Sequence, residues 1–281
     1  VGLGGAVAVI VPSLLALLQA SSEVTKSGQE GFEKLLDTLK IPRQYREEAK
    51  LGSTLILSAL LVGFWLALPS ISGGYNRSGL RNQDEDKFGA AEQDFLKAIA
   101  LDADNVKAHY NLGFLYEEWQ DVEKAKKEYQ IALGGDEPKA YNNLGRLYLL
   151  EKKFDRAAAL FAAGLDLAKE QKSPPEDRYS LLKNLGWVRL QQGWYAEAKE
   201  HLQEAIEISS DPEIEPYILS LGASHCLLAQ VLEKQKQPAA LEQWQQCCQL
   251  GDSVNPDENT WLPMAADKLR KAGKQCEISD K

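Results

Sequence analysis

Methionine, histidine and cysteine are scarce: 281 residues hold one, three and four of them. So few imidazoles and thiols leave little with which to build a metal centre. His225 and Cys226 stand in one segment with Cys247, yet no zinc-ligand spacing joins them, so no metal is expected. No pair of cysteines forms C-x-x-C; Cys247 and Cys248 are adjacent, Cys226 falls on a predicted helix, and Cys276 lies near the end. A chain of this length is no disulfide framework, and four small buried thiols are the expectation. Gly2-Leu3-Gly4-Gly5 lacks the lysine of a phosphate loop and is preceded by no strand. No catalytic constellation appears, so neither an enzyme nor a cofactor is expected. A basic surplus is missing as well. From residue 72 onward 26 Lys and Arg face 35 Asp and Glu, a balance that argues against nucleic acid as a partner.

Charge is also absent from two runs. Val1–Ala20 is apolar and long enough to cross a bilayer, and Leu51–Ile71 carries no charge between Lys50 and Arg77. The second run holds Leu55, Leu60, Leu61, Phe64, Trp65 and Leu66, apolar on every helical face. Both are candidate transmembrane helices, and residues 1–71 form a membrane-anchoring region. Between them a polar connector, 21–50, bears the stripe Phe32, Leu35, Leu36 and Leu39, suited to packing on a neighbouring helix or lying at lipid. Its six basic residues set it on the cytoplasmic side and send the chain beyond Ile71 across the membrane. Gly73, Gly74 and Gly79 are expected to form a hinge at the exit. The chain opens on Val rather than Met, which marks a fragment or a processed form.

Beyond the runs the chain repeats itself. Asn111-Leu112-Gly113-Phe114-Leu115-Tyr116 returns as Asn143-Leu144-Gly145-Arg146-Leu147-Tyr148 and as Asn184-Leu185-Gly186-Trp187-Val188-Arg189. An alanine comes after each copy (Ala125, Ala157, Ala198), then a large residue (Tyr129, Phe161, Leu202), then a small one (Ala132, Gly164, Ala205). Steps of three and four put these on one helical face. A glycine recurring inside a helix costs about 1 kcal/mol against alanine each time, so another helix is expected to press against it.

With a period near 34 residues, this pattern resembles the tetratricopeptide repeat (TPR) family. The resemblance implies an all-α fold, a right-handed α-solenoid of helix–turn–helix repeats preceded by one or two transmembrane helices. Repeats are expected near 72–105, 106–137, 138–178, 179–220 and 221–254, with a capping helix over 257–272 and a flexible tail over 273–281. In the last repeat Leu228 stands where the others have glycine.

In that family the first helices line a concave groove. Asn111, Asn143 and Asn184 would then stack as a ladder of amides, each able to donate to and accept from the backbone of an extended peptide. Their neighbours in the expected groove are Lys107, Tyr110, Phe114, Lys139, Asn142, Arg146, Lys183 and Trp187. The cations there point to a partner with an acidic or extended segment. The family's carboxylate clamp is not carried over, because Trp187 stands where the clamp wants asparagine. Three functional readings are open: a membrane-anchored scaffold binding a protein segment, an assembly factor for a membrane, cytochrome or photosynthetic complex, and the regulatory tail of a longer signalling or effector protein. The repeats are expected on the non-cytoplasmic side.

Overall fold

The structure, a computed structural model, describes residues 26–252 and 254–277. The expected first membrane segment, 1–20, lies outside the described residues, as do the start of the connector and the end of the tail. Among the described residues every regular element is helical. Two compact units are present, one ending at Ala108 and the other beginning at His109.

The first unit contains α1 (Lys26–Thr38), α2 (Arg46–Asp84) and α3 (Phe88–Leu101). In the connector's apolar stripe Leu36 is covered, while Leu35 and Leu39 stay exposed. Four ion pairs gather at the base of α2. Arg46 pairs with Glu33 and Asp37, and Lys50 with Glu33 at 3.0 Å and Glu47 at 2.9 Å.

Helix α2 then runs for 39 residues without a break, about 58 Å at 1.5 Å per residue. Its apolar stretch is covered by nothing else in the described chain; Ile56 is 64% exposed and Leu60 65%. The expected hinge is therefore corrected. Gly73, Gly74 and Gly79 all lie inside the helix, which carries even Pro69. Gly79 is held because the ring of Phe95 on α3 lies where its side chain would be. Just past the apolar stretch the helix becomes a packing partner of α3. Ser72 donates to the Ala98 carbonyl at 2.7 Å and accepts from Asn105 at 2.7 Å.

The second unit continues from α4 (Val106–Glu118), within which the boundary falls, through α5 (Val122–Leu133), α6 (Pro138–Leu150), α7 (Phe154–Glu170), α8 (Pro175–Gln192), α9 (Tyr195–Ser209), α10 (Leu221–Lys234) and α11 (Ala240–Leu250) to α12 (Pro256–Lys271). The recurring glycines are required by the packing. Added Cβ atoms at Gly113, Gly145 and Gly186 would sit 2.8, 2.6 and 2.5 Å from Tyr129, Phe161 and Leu202, each sixteen residues on. Where Leu228 replaces the glycine, the residue sixteen further is Trp244, only 1% exposed.

The turns inside the helix pairs share one geometry. Asp86, Gln120, Lys152, Gly193 and Lys236 all have positive φ. The amide after each reaches back five residues: Lys87 to Asn82, Asp121 to Tyr116, Lys153 to Tyr148, Trp194 to Arg189 and Gln237 to Leu232, at 2.7–2.9 Å. This is the Schellman closure, which satisfies carbonyls a helix end leaves bare.

The cysteine expectation is corrected too. Cys226 on α10 is bonded to Cys247 on α11, and Cys248 to Cys276 beyond α12. Adjacent residues of a helix point to different sides, so Cys247 and Cys248 reach two different partners.

Candidate partner-binding face

Three first helices, α4, α6 and α8, carry the expected groove residues from Tyr110 onward; Lys107 is exposed and belongs to the first unit. The helices place them by repetition: each Leu-Gly pair is pinned under a second helix, which fixes the residue before it. Asn111 and Asn143 are half-buried there, whereas Asn184 is 1% exposed.

The amides do not stand alone. The Tyr129 hydroxyl donates to Glu117 at 2.8 Å and accepts from Asn143 at 3.1 Å. Asn142 donates to Asn143 at 3.2 Å, and Asn184 donates to Asn142 at 2.9 Å. A single polar chain, Glu117–Tyr129–Asn143–Asn142–Asn184, thus ties four helices, α4, α5, α6 and α8. Linked bonds of this kind rigidify a surface when every member is satisfied. One is not: the Asn184 amide oxygen is buried without a partner.

The expected cations are engaged as well. Arg146 pairs with Glu117, and Lys139 lies 3.8 Å from Asp177. Lys183 sits near the buried carboxyl of Glu258. Burial pushes the Tyr110 hydroxyl up to about 12, helped by the negative charge of Glu137. Asp177 is raised by burial, with Lys139 opposing. Sequence reasoning missed the acids. Glu117, Glu137 and Asp177 look like solvated helix residues, and only folding brings Glu117 under an arginine 29 residues away.

The aromatics divide. Phe114 is exposed, and Tyr110 stacks at a tilt 5.9 Å from Tyr129. Trp187 meets Trp261 of α12 edge-on at 5.1 Å, so it belongs to the packing of the last helix. His109 is buried with its Nδ1 2.6 Å from a Glu128 carboxylate oxygen, a packed position.

Paired helices with a glycine under an aromatic, recurring at this period, have a counterpart among known families. Models of the tetratricopeptide repeat match residues 136–211 and 106–134, and a TPR repeat model matches 84–118. The chain is a tetratricopeptide repeat protein.

Solved TPR structures share its fold at low identity. A Pseudomonas aeruginosa PilF structure superposes with a TM-score of 0.55 at 18% identity, covering 73% of this chain and 93% of that one. PilW, described as a widely conserved type IV pilus biogenesis factor, gives 0.55 at 17% over 72% and 88%. YrrB, described as a TPR protein with an unusual peptide-binding site, gives 0.50 at 17% over 68% and 89%. No curated protein matches the chain. These likenesses establish the fold of this TPR chain and leave its partner to be argued from its own residues.

Proposed function

We propose that this TPR protein is a membrane-anchored scaffold that holds a segment of a protein partner on the polar face of α4, α6 and α8. The observation that carries the reading is α2: one unbroken helix whose apolar stretch is uncovered and whose far end already packs against α3. Uncovered apolar surface on this scale fits lipid, since about 20 residues span the hydrocarbon and Leu51–Ile71 supplies 21.

The repeats belong on the non-cytoplasmic side in this reading. The connector's basic residues favour that orientation. Two disulfides favour it independently, because such bonds persist in oxidising compartments and are rare in the cytosol. On the partner face, Phe114 offers apolar contact, and the Asn142, Asn143 and Arg146 side chains remain partly open to a peptide backbone. Since Arg146 and Lys139 already have carboxylate partners, an extended segment suits this face better than a strongly acidic one.

The experiment has two arms. Protease added outside inverted vesicles should leave residues beyond 84 intact, and carbonate washing should leave the chain in the membrane; digestion or extraction refutes the anchored, exported topology. Capture of partners should fall at least about tenfold in Asn143→Ala with Arg146→Ala, the loss of two contact groups at about 1–1.5 kcal/mol each. Undiminished capture refutes the face. A narrower reading, an assembly factor for a membrane complex, draws support from PilW being a biogenesis factor.

A further inference from the structure

We propose that a pocket at the turn between α10 and α11, walled on one side by α12, binds a short acidic–aliphatic segment of a protein partner, apart from the asparagine-lined face. The cavity measures about 540 Å³ and opens to solvent. Lys234, Lys236 and Lys268 line it against one acid, Glu233. This reverses the balance of the surrounding chain, where acids outnumber bases.

Glu233 is taken up by Lys268 at 2.7 Å. Lys234 and Lys236 are exposed, and among the described residues neither has an ion-pair partner. The contrast with Arg146 and Lys139, both faced by carboxylates, is direct. Two uncompensated ammonium groups lining one pocket attract carboxylates and set orientation more than affinity. Pro238, Leu241 and Trp244 supply an apolar floor, and Trp244 carries a buried indole N–H that has no partner.

The walls are set before anything binds. The Cys226–Cys247 disulfide joins α10 to α11, and Lys268 comes from α12, itself linked through Cys276 to Cys248. Pre-set walls lower the ordering cost of binding. A free anion would use the lysines and leave the floor bare. A peptide alternating glutamate and leucine uses both, and a cavity of this size takes two or three side chains.

The test titrates the full-length oxidised chain in detergent micelles with acetyl-Glu-Leu-Glu-Leu-amide and its glutamine counterpart. The acidic peptide should bind, and affinity should fall about tenfold or more in Lys234→Glu with Lys236→Glu. Arg146→Glu should leave it unchanged, so failure of the asparagine face and failure of this pocket are told apart. Should the double reversal disturb folding, judged by circular dichroism, Lys234→Gln with Lys236→Gln should still lose about threefold. Equal binding of the glutamine peptide, indifference to both substitutions of the lysine pair, or displacement by equimolar inorganic phosphate overturns the proposal.

Discussion

Gly145 lies so close to Phe161 that a methyl group on the glycine would sit 2.6 Å from the ring. The aromatic therefore occupies the volume of a missing side chain, and the helix pair closes at backbone distance. Gly145→Ala should destabilise by about 1–3 kcal/mol, because the ring must leave its rotamer or the helices must part. Gly89, with open space around its Cβ position, is the control. Gly89→Ala should stabilise by up to about 1 kcal/mol. Denaturant midpoints of the two variants should move in opposite directions.

The left-handed turns allow gains. Lys152 has φ 61 where the next pair has Gly193 at φ 79. Lys152→Gly should raise stability by about 0.5–1 kcal/mol, as glycine adopts that conformation without a Cβ clash. Gly193→Ala should lose about as much. Thermal melts that rank these variants the other way would contradict the Schellman geometry.

Two carboxyls should make stability respond to pH with opposite signs. Asp94 accepts from Ser78, Asn82 and Lys97, and the Ser78 bond above all holds its carboxyl below the usual aspartate range. Its native form binds protons less readily than the unfolded chain, so its contribution is present above about pH 4 and lost as pH falls. Glu258 is pushed up by burial, although the Asp252 amide donates to it at 2.7 Å. Its native form keeps the proton longer, so stability declines as pH rises from about 4.5 through the native value. Glu258→Gln should then melt higher than the parent at pH 8, with the gain vanishing toward pH 4. Asp94→Asn should melt lower at pH 8, with the loss shrinking in acid.

The disulfides make a prediction for thiol chemistry and for stability together. Chain purified from its native source without reductant should show no maleimide-reactive cysteine before reduction. Cys226→Ser with Cys247→Ser should cost about 3 kcal/mol, the loop-closure figure for a bridge across 21 residues. Reactive thiols in the native material, or an unchanged midpoint in the double variant, would remove the argument for an oxidising compartment.

How much of the molecule is legible in its sequence depends on how far apart the deciding residues stand. Each Leu-Gly glycine and the large residue that meets it stand sixteen apart, so helix pairing can be read from Gly113 and Tyr129 without coordinates. The turns cannot, since Gln120 and Lys152 occupy positions where only Gly193 advertises a left-handed backbone. Disulfide pairing is hidden for a similar reason: Cys276 reaches Cys248 only because α12 brings the chain back. On the candidate face, the asparagines are legible as a periodic set. That Asn184 spends its amide on Asn142, 42 residues away, is not. Nor is the carboxylate under Arg146. Local spacing carries helices; charge compensation is decided by neighbours distant in the chain.

Helix α2 has a mechanical consequence. Ser72 engages α3 one residue past the apolar stretch, so an embedded stem leaves no slack tether between lipid and the first hairpin. Any tilt of the span would be transmitted undamped to Asp94 and Phe95, as a rigid lever moves its load. Bilayer thickness would then govern the angle at which the first hairpin is presented.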